Sequence, residues 1–167
     1  MSRPVILIVD DDANLVQGLA LSLRDEYRIL AAADAGTALR VLGSQPVDIV
    51  LADHRMPGMN GLELLRIVRN RHPDTVRMVM TGNVTAELAI QALNEAEVYR
   101  FLPKPVTPDD LRITLFLACE RMKLERENRR LYAIIHGDPE VSGPRVDPFL
   151  EPTADYPLDG GAGLGRR

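Results

Sequence analysis

The chain has 167 residues, 46% of them hydrophobic, which suffices for one domain with a real core and excludes disorder throughout. A formal net charge of −4 without a dense Lys/Arg run removes the general electrostatic reason to coat nucleic acid or an anionic membrane, so direct DNA binding is disfavoured. The lone Cys119 excludes an internal disulfide framework and a Cys-rich metal site, and Met1-Ser2-Arg3-Pro4 leads into no signal-peptide or membrane-length apolar run, which predicts a soluble, cytoplasmic protein.

Five short β-branched apolar runs alternate with segments of helical periodicity, the pattern of a parallel sheet covered by helices on both faces. Strands are predicted near residues 4–10, 28–32, 48–53, 77–81 and 99–103; the first, third and fourth are apolar enough to lie inside the sheet. Between them, Leu15, Leu19 and Leu23 make one helical stripe, Ala38, Leu39 and Leu42 a second, Leu62, Leu65 and Val68 a third, and Ala86, Ala89, Ile90 and Leu93 a fourth. A last helix starts after Thr107-Pro108-Asp109-Asp110, with a threonine cap, proline at the first position and acids in the first turn, and meets no breaker before Gly137. From about His136 the composition turns to Gly, Pro, Asp and Glu, which predicts a disordered tail where Phe149, Leu150 and Tyr156 are incidental.

Carboxylates close two of the buried runs: Asp10-Asp11-Asp12 follows the first and Asp53 ends the third. On parallel neighbouring strands these groups converge on one sheet edge, where a divalent cation is their natural partner. Thr81 and Lys104 stand at the ends of the fourth and fifth runs, so the strand ends also supply a hydroxyl and an ammonium suited to anionic oxygens. Each residue alone has an ordinary reading as cap, turn or surface lysine. Together and in this order they describe a pocket for a phosphoryl group bridged to a metal.

Four segments carry a family resemblance: Ile8-Val9-Asp10-Asp11-Asp12, the run from Asp53 to Gly61 with Met56-Pro57-Gly58 at its centre, Met80-Thr81-Gly82, and Phe101-Leu102-Pro103-Lys104-Pro105. Over roughly residues 4–121 the chain resembles the receiver domain of bacterial two-component response regulators. The resemblance implies a doubly wound α/β fold, a flavodoxin-like five-stranded parallel sheet of order 2-1-3-4-5. It implies that Asp53 is the phosphoacceptor for a sensor histidine kinase, that Asp11 binds Mg²⁺ (or Mn²⁺) directly and Asp10 through water, and that Asp53 and the backbone carbonyl of Arg55 complete the coordination. Lys104 would pair with a phosphoryl oxygen, aimed by a cis Lys104-Pro105 bond, and Asp12 would be a local cap. Thr81 and Phe101 would form the switch, with Tyr99 sharing the strand face of Phe101; Gly82 would leave room for the phosphoryl group, and Arg55 and Asn83 would set its lifetime by admitting or shielding water.

The last helix is longer than one domain needs. Leu117, Leu124 and Leu131 repeat every seven residues, with Thr114, Arg121, Asn128 and Ile135 at the complementary positions, a seam through which a homodimer could form. The expected organisation is a receiver over 1–121, a helical extension with a coiled-coil seam over 122–136, and the tail over 137–167. The function expected is a phosphorylation-controlled switch acting on a downstream protein that the sequence does not name. Two other readings stand beside it: a hydrolase with an aspartyl-phosphate intermediate, for which no second acid is evident after Asp53, and a degenerate receiver serving as a dimerisation module, against which the intact Asp11, Asp53, Thr81 and Lys104 set argues.

Overall fold

The computed structural model describes residues 3–136, so the expected tail lies outside the described residues. Five short apolar runs form strands β1 (Val5–Val9), β2 (Arg28–Ala32), β3 (Ile49–Asp53), β4 (Val76–Thr81) and β5 (Arg100–Pro103), and helices α1 (Ala13–Leu23), α2 (Ala35–Ser44), α3 (Gly61–Arg71), α4 (Ala86–Ala96) and α5 (Pro108–His136) follow them in turn. Each helix begins on a side chain that satisfies backbone N–H groups the helix itself leaves free. Asp12 accepts from Asn14 and Leu15, Asp34 from Thr37, Thr85 from Leu88 and Thr107 from Asp110, while Asn60 and Glu63 form a reciprocal capping box. Replacing one such cap by alanine costs about 1 kcal/mol.

All four strand pairs are parallel and the order is β2-β1-β3-β4-β5, as the resemblance implies. Chain order reverses between β1 and β3, so the C-terminal ends of these strands flank the crevice where open α/β sheets bind ligands. Every residue of β3 is buried. Alternation divides the core: Leu7, Val9, Val50, Ala52 and Val79 pack beneath α2, α3 and α4, whereas Ile6, Ile8, Ile49, Leu51, Met78 and Met80 pack beneath α1 and α5. Burying each such aliphatic side chain contributes about 1.5–3 kcal/mol. Among the described residues no helix is long and apolar enough to cross a membrane.

The third helical stripe holds, since Leu62, Leu65 and Val68 are buried, and in the first Val16 joins the buried Leu19 and Leu23 while Leu15 stays half-exposed. The fourth is corrected. Leu88, Ala92 and Ala96 face the sheet, and Ile90 and Leu93, 60% and 57% exposed, face outward. Alanines at four positions of α4 give little contrast in bulk, so periodicity alone did not fix the rotation of this helix.

The C-terminal end of α4 is held by arginines. Arg77, 4% exposed near the start of β4, donates from Nε to the Ala96 carbonyl at 2.7 Å and from Nη1 to the Thr75 carbonyl at 2.7 Å, and pairs with Glu97 at 3.3 Å. Arg69 on α3 donates to the carbonyls of Asn94 and Glu95 and pairs with Glu97 at 2.7 Å. These cations satisfy carbonyls at the helix terminus and complement its partial negative charge. Glu97 ends α4 in the left-handed region at φ 46°.

The compact unit runs through Arg126, whose Nη2 lies 2.7 Å from Oδ1 of Asp48; the other carboxylate oxygen of Asp48 accepts the Val5 N–H at 2.8 Å. Thr114, placed by sequence on the helical seam, is instead buried at 4% and bonds the Asp110 carbonyl, because the sheet-facing stripe of Leu111, Leu115 and Ala118 is wider than a narrow seam pattern supposes. Leu117, Leu124 and Leu131 are exposed at 44%, 72% and 49%.

Candidate functional site

Asp53 is the last residue of β3, and its side chain is 8% exposed. Asp10 follows β1 directly and is buried; Asp11, one residue further, is exposed. One carboxylate oxygen from each of Asp10, Asp11 and Asp53 can be chosen so that all three lie within 4.8 Å of one another. Three hard oxygen donors converging on one point, two of them on buried residues, match what a divalent cation such as Mg²⁺ requires. They would repel strongly without compensation.

Lys104 supplies part of that compensation. Its Nζ lies 2.7 Å from Oδ2 of Asp10 and 3.2 Å from Oδ1 of Asp53. Burial alone would lower the pKa of this ammonium, but hydrogen bonds from Nζ to Asp10 and Asp53 outweigh it and hold the group above its ordinary value. The Lys104-Pro105 bond is cis, as the resemblance implies, and Lys104 N–H bonds the Thr81 carbonyl at 2.8 Å. Asp10 Oδ1 also accepts the Asp12 N–H at 2.9 Å, so a single buried carboxylate serves both the loop and the lysine. Asp12 is the α1 cap.

Thr81 ends β4, buried, and its hydroxyl is engaged within its own loop: Oγ1 donates to the Asn83 carbonyl at 3.0 Å and accepts the Asn83 N–H at 3.2 Å. A Cβ built on Gly82 would meet no atom within 4 Å, which leaves the loop open there. Arg55 and Asn83 are exposed. Phe101 is partly buried against the core beneath α2, α3 and α4, but Tyr99 packs with the opposite core, and Arg121 stands over its ring at 5.2 Å. The two do not share a face, because Tyr99 precedes β5 and escapes its alternation. Sequence reading passed over two residues: Arg77, visible as a charge inside an apolar strand, and His54, for which adjacency to Asp53 was the available cue.

A family model described as the response regulator receiver domain matches residues 6–116. The chain belongs to that family. Among proteins similar to it, the hydrogenase transcriptional regulatory protein HoxA of Cupriavidus necator is 39% identical over 129 residues, covering 77% of this chain and 27% of that protein. A putative NtrX-like response regulator of Rickettsia conorii is 34% identical over 146 residues, covering 86% of this chain and 31% of its own length. The chain thus spans about a quarter to a third of the length of the curated relatives it matches. Among solved structures, the signal receiver domain of an HD domain-containing protein from Pseudomonas fluorescens Pf-5 superposes with a TM-score of 0.69 at 36% identity, covering 73% of this chain and 98% of that one. A CheY-like receiver domain protein from Methanospirillum hungatei gives 0.71 at 29% identity, covering 74% and 99%. The fold and family expected from sequence therefore hold, and signalling by a receiver is the class of function they establish.

Proposed function

We propose that Asp53 accepts a phosphoryl group from a sensor histidine kinase and that the resulting acyl phosphate resets the β4–α4 loop and the surface beyond it. The observation that carries this reading is the buried Asp53 carboxylate held 3.2 Å from Lys104 and grouped with Asp10 and Asp11. In the transfer a carboxylate oxygen of Asp53 attacks phosphorus, an O–P bond forms, and the P–N bond to the kinase imidazole breaks with its electron pair returning to nitrogen. Asp11, Asp53, the Arg55 carbonyl and, through water, Asp10 would hold a Mg²⁺ or Mn²⁺ ion, which would supply charge neutralisation for the transfer.

Lys104 exchanges its contact with Asp53 for a phosphoryl oxygen, and Thr81 turns its hydroxyl from Asn83 to another. The ring of Phe101 follows into the space that the Thr81 loop vacates, while Arg55 and Asn83, both exposed, control water at the acyl phosphate. The domain catalyses only its own phosphorylation and dephosphorylation. It acts as a cytoplasmic regulator on a downstream protein, and on a second copy of itself through residues 122–136 of α5.

Intact-mass measurement after incubation with a small phosphodonor and Mg²⁺ tests the assignment. Wild type should gain one phosphoryl group and Asp53→Asn none, with the fold preserved because the amide is nearly isosteric. Asp11→Ala should weaken Mg²⁺ binding. Full phosphorylation of Asp53→Asn, or an unchanged Mg²⁺ titration in Asp11→Ala, would refute the corresponding role.

A further inference from the structure

His54 follows Asp53, and its half-buried ring holds a nitrogen that the protein leaves unsatisfied. Among the described residues, His54 Nδ1 is the sole buried side-chain nitrogen or oxygen without a hydrogen-bond partner. Burying such an atom without a partner is unfavourable, which makes it a candidate for a contact formed in another state.

Strand geometry indicates where that partner lies. The His54 N–H donates to the Met80 carbonyl at 2.8 Å, extending the β3–β4 ladder one step past the Asp53–Met80 pair and setting His54 beside Thr81. Alternation gives His54 and Thr81 the sheet face of Val50, Ala52 and Val79, the face covered by α3 and α4. The His54 backbone has little freedom to move: its carbonyl accepts the Gly61 N–H at 3.1 Å, and a Cβ on Gly61 would lie 2.1 Å from the Asp53 carbonyl oxygen. The Thr81 hydroxyl, next to it, holds both the N–H and the carbonyl of Asn83.

We propose that His54 is a positioning residue for the switch, whose Nδ1 takes over the N–H of Asn83 when Thr81 turns to the phosphoryl group. With the ring proton on Nε2, Nδ1 is a bare nitrogen that accepts the Asn83 N–H. The resting state leaves Nδ1 unpaired and the switched state pairs it, so the contact differs between the two states and biases the equilibrium toward the switched one. The inference rests on Asp53 being the phosphoryl acceptor and deepens that reading by adding a residue on the far face of the sheet from the carboxylates.

The test uses the full chain with beryllofluoride and Mg²⁺ as the phosphoryl mimic. His54→Phe and His54→Leu remove the polar atom, whereas His54→Asn keeps one near the place of Nδ1. The apolar variants should be no less stable than wild type without ligand, yet bind beryllofluoride about tenfold more weakly, the equivalent of one neutral hydrogen bond. His54→Asn should bind within about twofold of wild type, since the amide restores the hydrogen bond. In wild type, the Asn83 amide should stay protected from hydrogen exchange on beryllofluoride binding, and it should lose protection in the apolar variants. Equal binding by wild type and His54→Phe, or equal loss in His54→Asn and His54→Phe, overturns the inference alone. Loss of Asn83 protection in wild type overturns it too, whether or not the apolar variants fold. Wild type that binds no beryllofluoride brings down the acceptor reading and this inference together.

Discussion

At the scale of single residues, Asp53 is held by an approach that only glycine permits. The first residue of α3, Gly61, lies so close to the β3 terminus that an added methyl would overlap backbone, which cannot swing aside as a side chain would. Gly61→Ala should therefore lower unfolding free energy by about 1–3 kcal/mol, the usual range for overpacking, and slow phosphorylation by displacing Asp53; urea denaturation and intact-mass kinetics would register both. Far from the site, burial, ahead of the nearby Cys119 and Glu26, pushes the Tyr27 phenol up to about 12. Below the unfolded value near 10 both states keep the proton, so the stabilisation is fully present there; above it the unfolded chain ionises first and stability falls until the folded phenol titrates as well. Tyr27→Phe should accordingly lose less stability than wild type between about pH 9 and about pH 11, measured by urea denaturation at each pH. Equal losses in the two proteins would exclude Tyr27 as a source of that slope.

At the scale of elements, α4 is tied differently at its two ends. Its C-terminal carbonyls are satisfied by Arg77 and Arg69, and its N-terminus follows the exposed stretch Gly82–Thr85. Arg77→Ala should cost about 3 kcal/mol, because it leaves the carbonyls of Ala96 and Thr75 without their donor inside the protein, and the loss should appear as a shifted urea midpoint at constant slope. The same helix marks the limit of what the sequence disclosed. β1, β3 and β4 were legible because continuous apolar runs have one sensible environment, and the grouping of Asp10, Asp11, Asp53 and Lys104 because all of them fall at strand ends. The rotation of α4, the side taken by Tyr99 and the burial of Thr114 were not legible, since each depends on which neighbour covers a weakly contrasted surface. Nor does composition reveal an unpaired nitrogen: the state of His54 Nδ1 follows from the β3–β4 register and the packing around it, which are properties of three-dimensional contact.

At the scale of the molecule, most of the outward large apolar residues among those described lie on two helices. Ile90 and Leu93 of α4 and Ile113, Phe116 and Leu117 of α5 are each between 44% and 63% exposed, and Leu124 is 72% exposed. Phosphorylation at Asp53 is expected to bias self-association or partner binding through this surface, with hydrogen exchange altered over residues 83–97 and 99–121. Sedimentation with beryllofluoride should shift toward dimer, and Leu124→Glu should block the shift without weakening beryllofluoride binding; protection changes confined to residues 10–12 and 53–61 would mean that the site binds without switching. The arginine clamp on α4 also sets the form that such a motion takes. An element fastened at one end pivots, so its displacement grows with distance from the fulcrum. With 11 residues α4 is a lever about 16 Å long, and a swing of about 10° would carry its N-terminal turn about 3 Å while the bonds of Arg77 at the other end barely stretch. The reach of the signal is then a matter of helix length: one added turn at the N-terminal end would extend the stroke by about a third, with no change in the chemistry at Asp53.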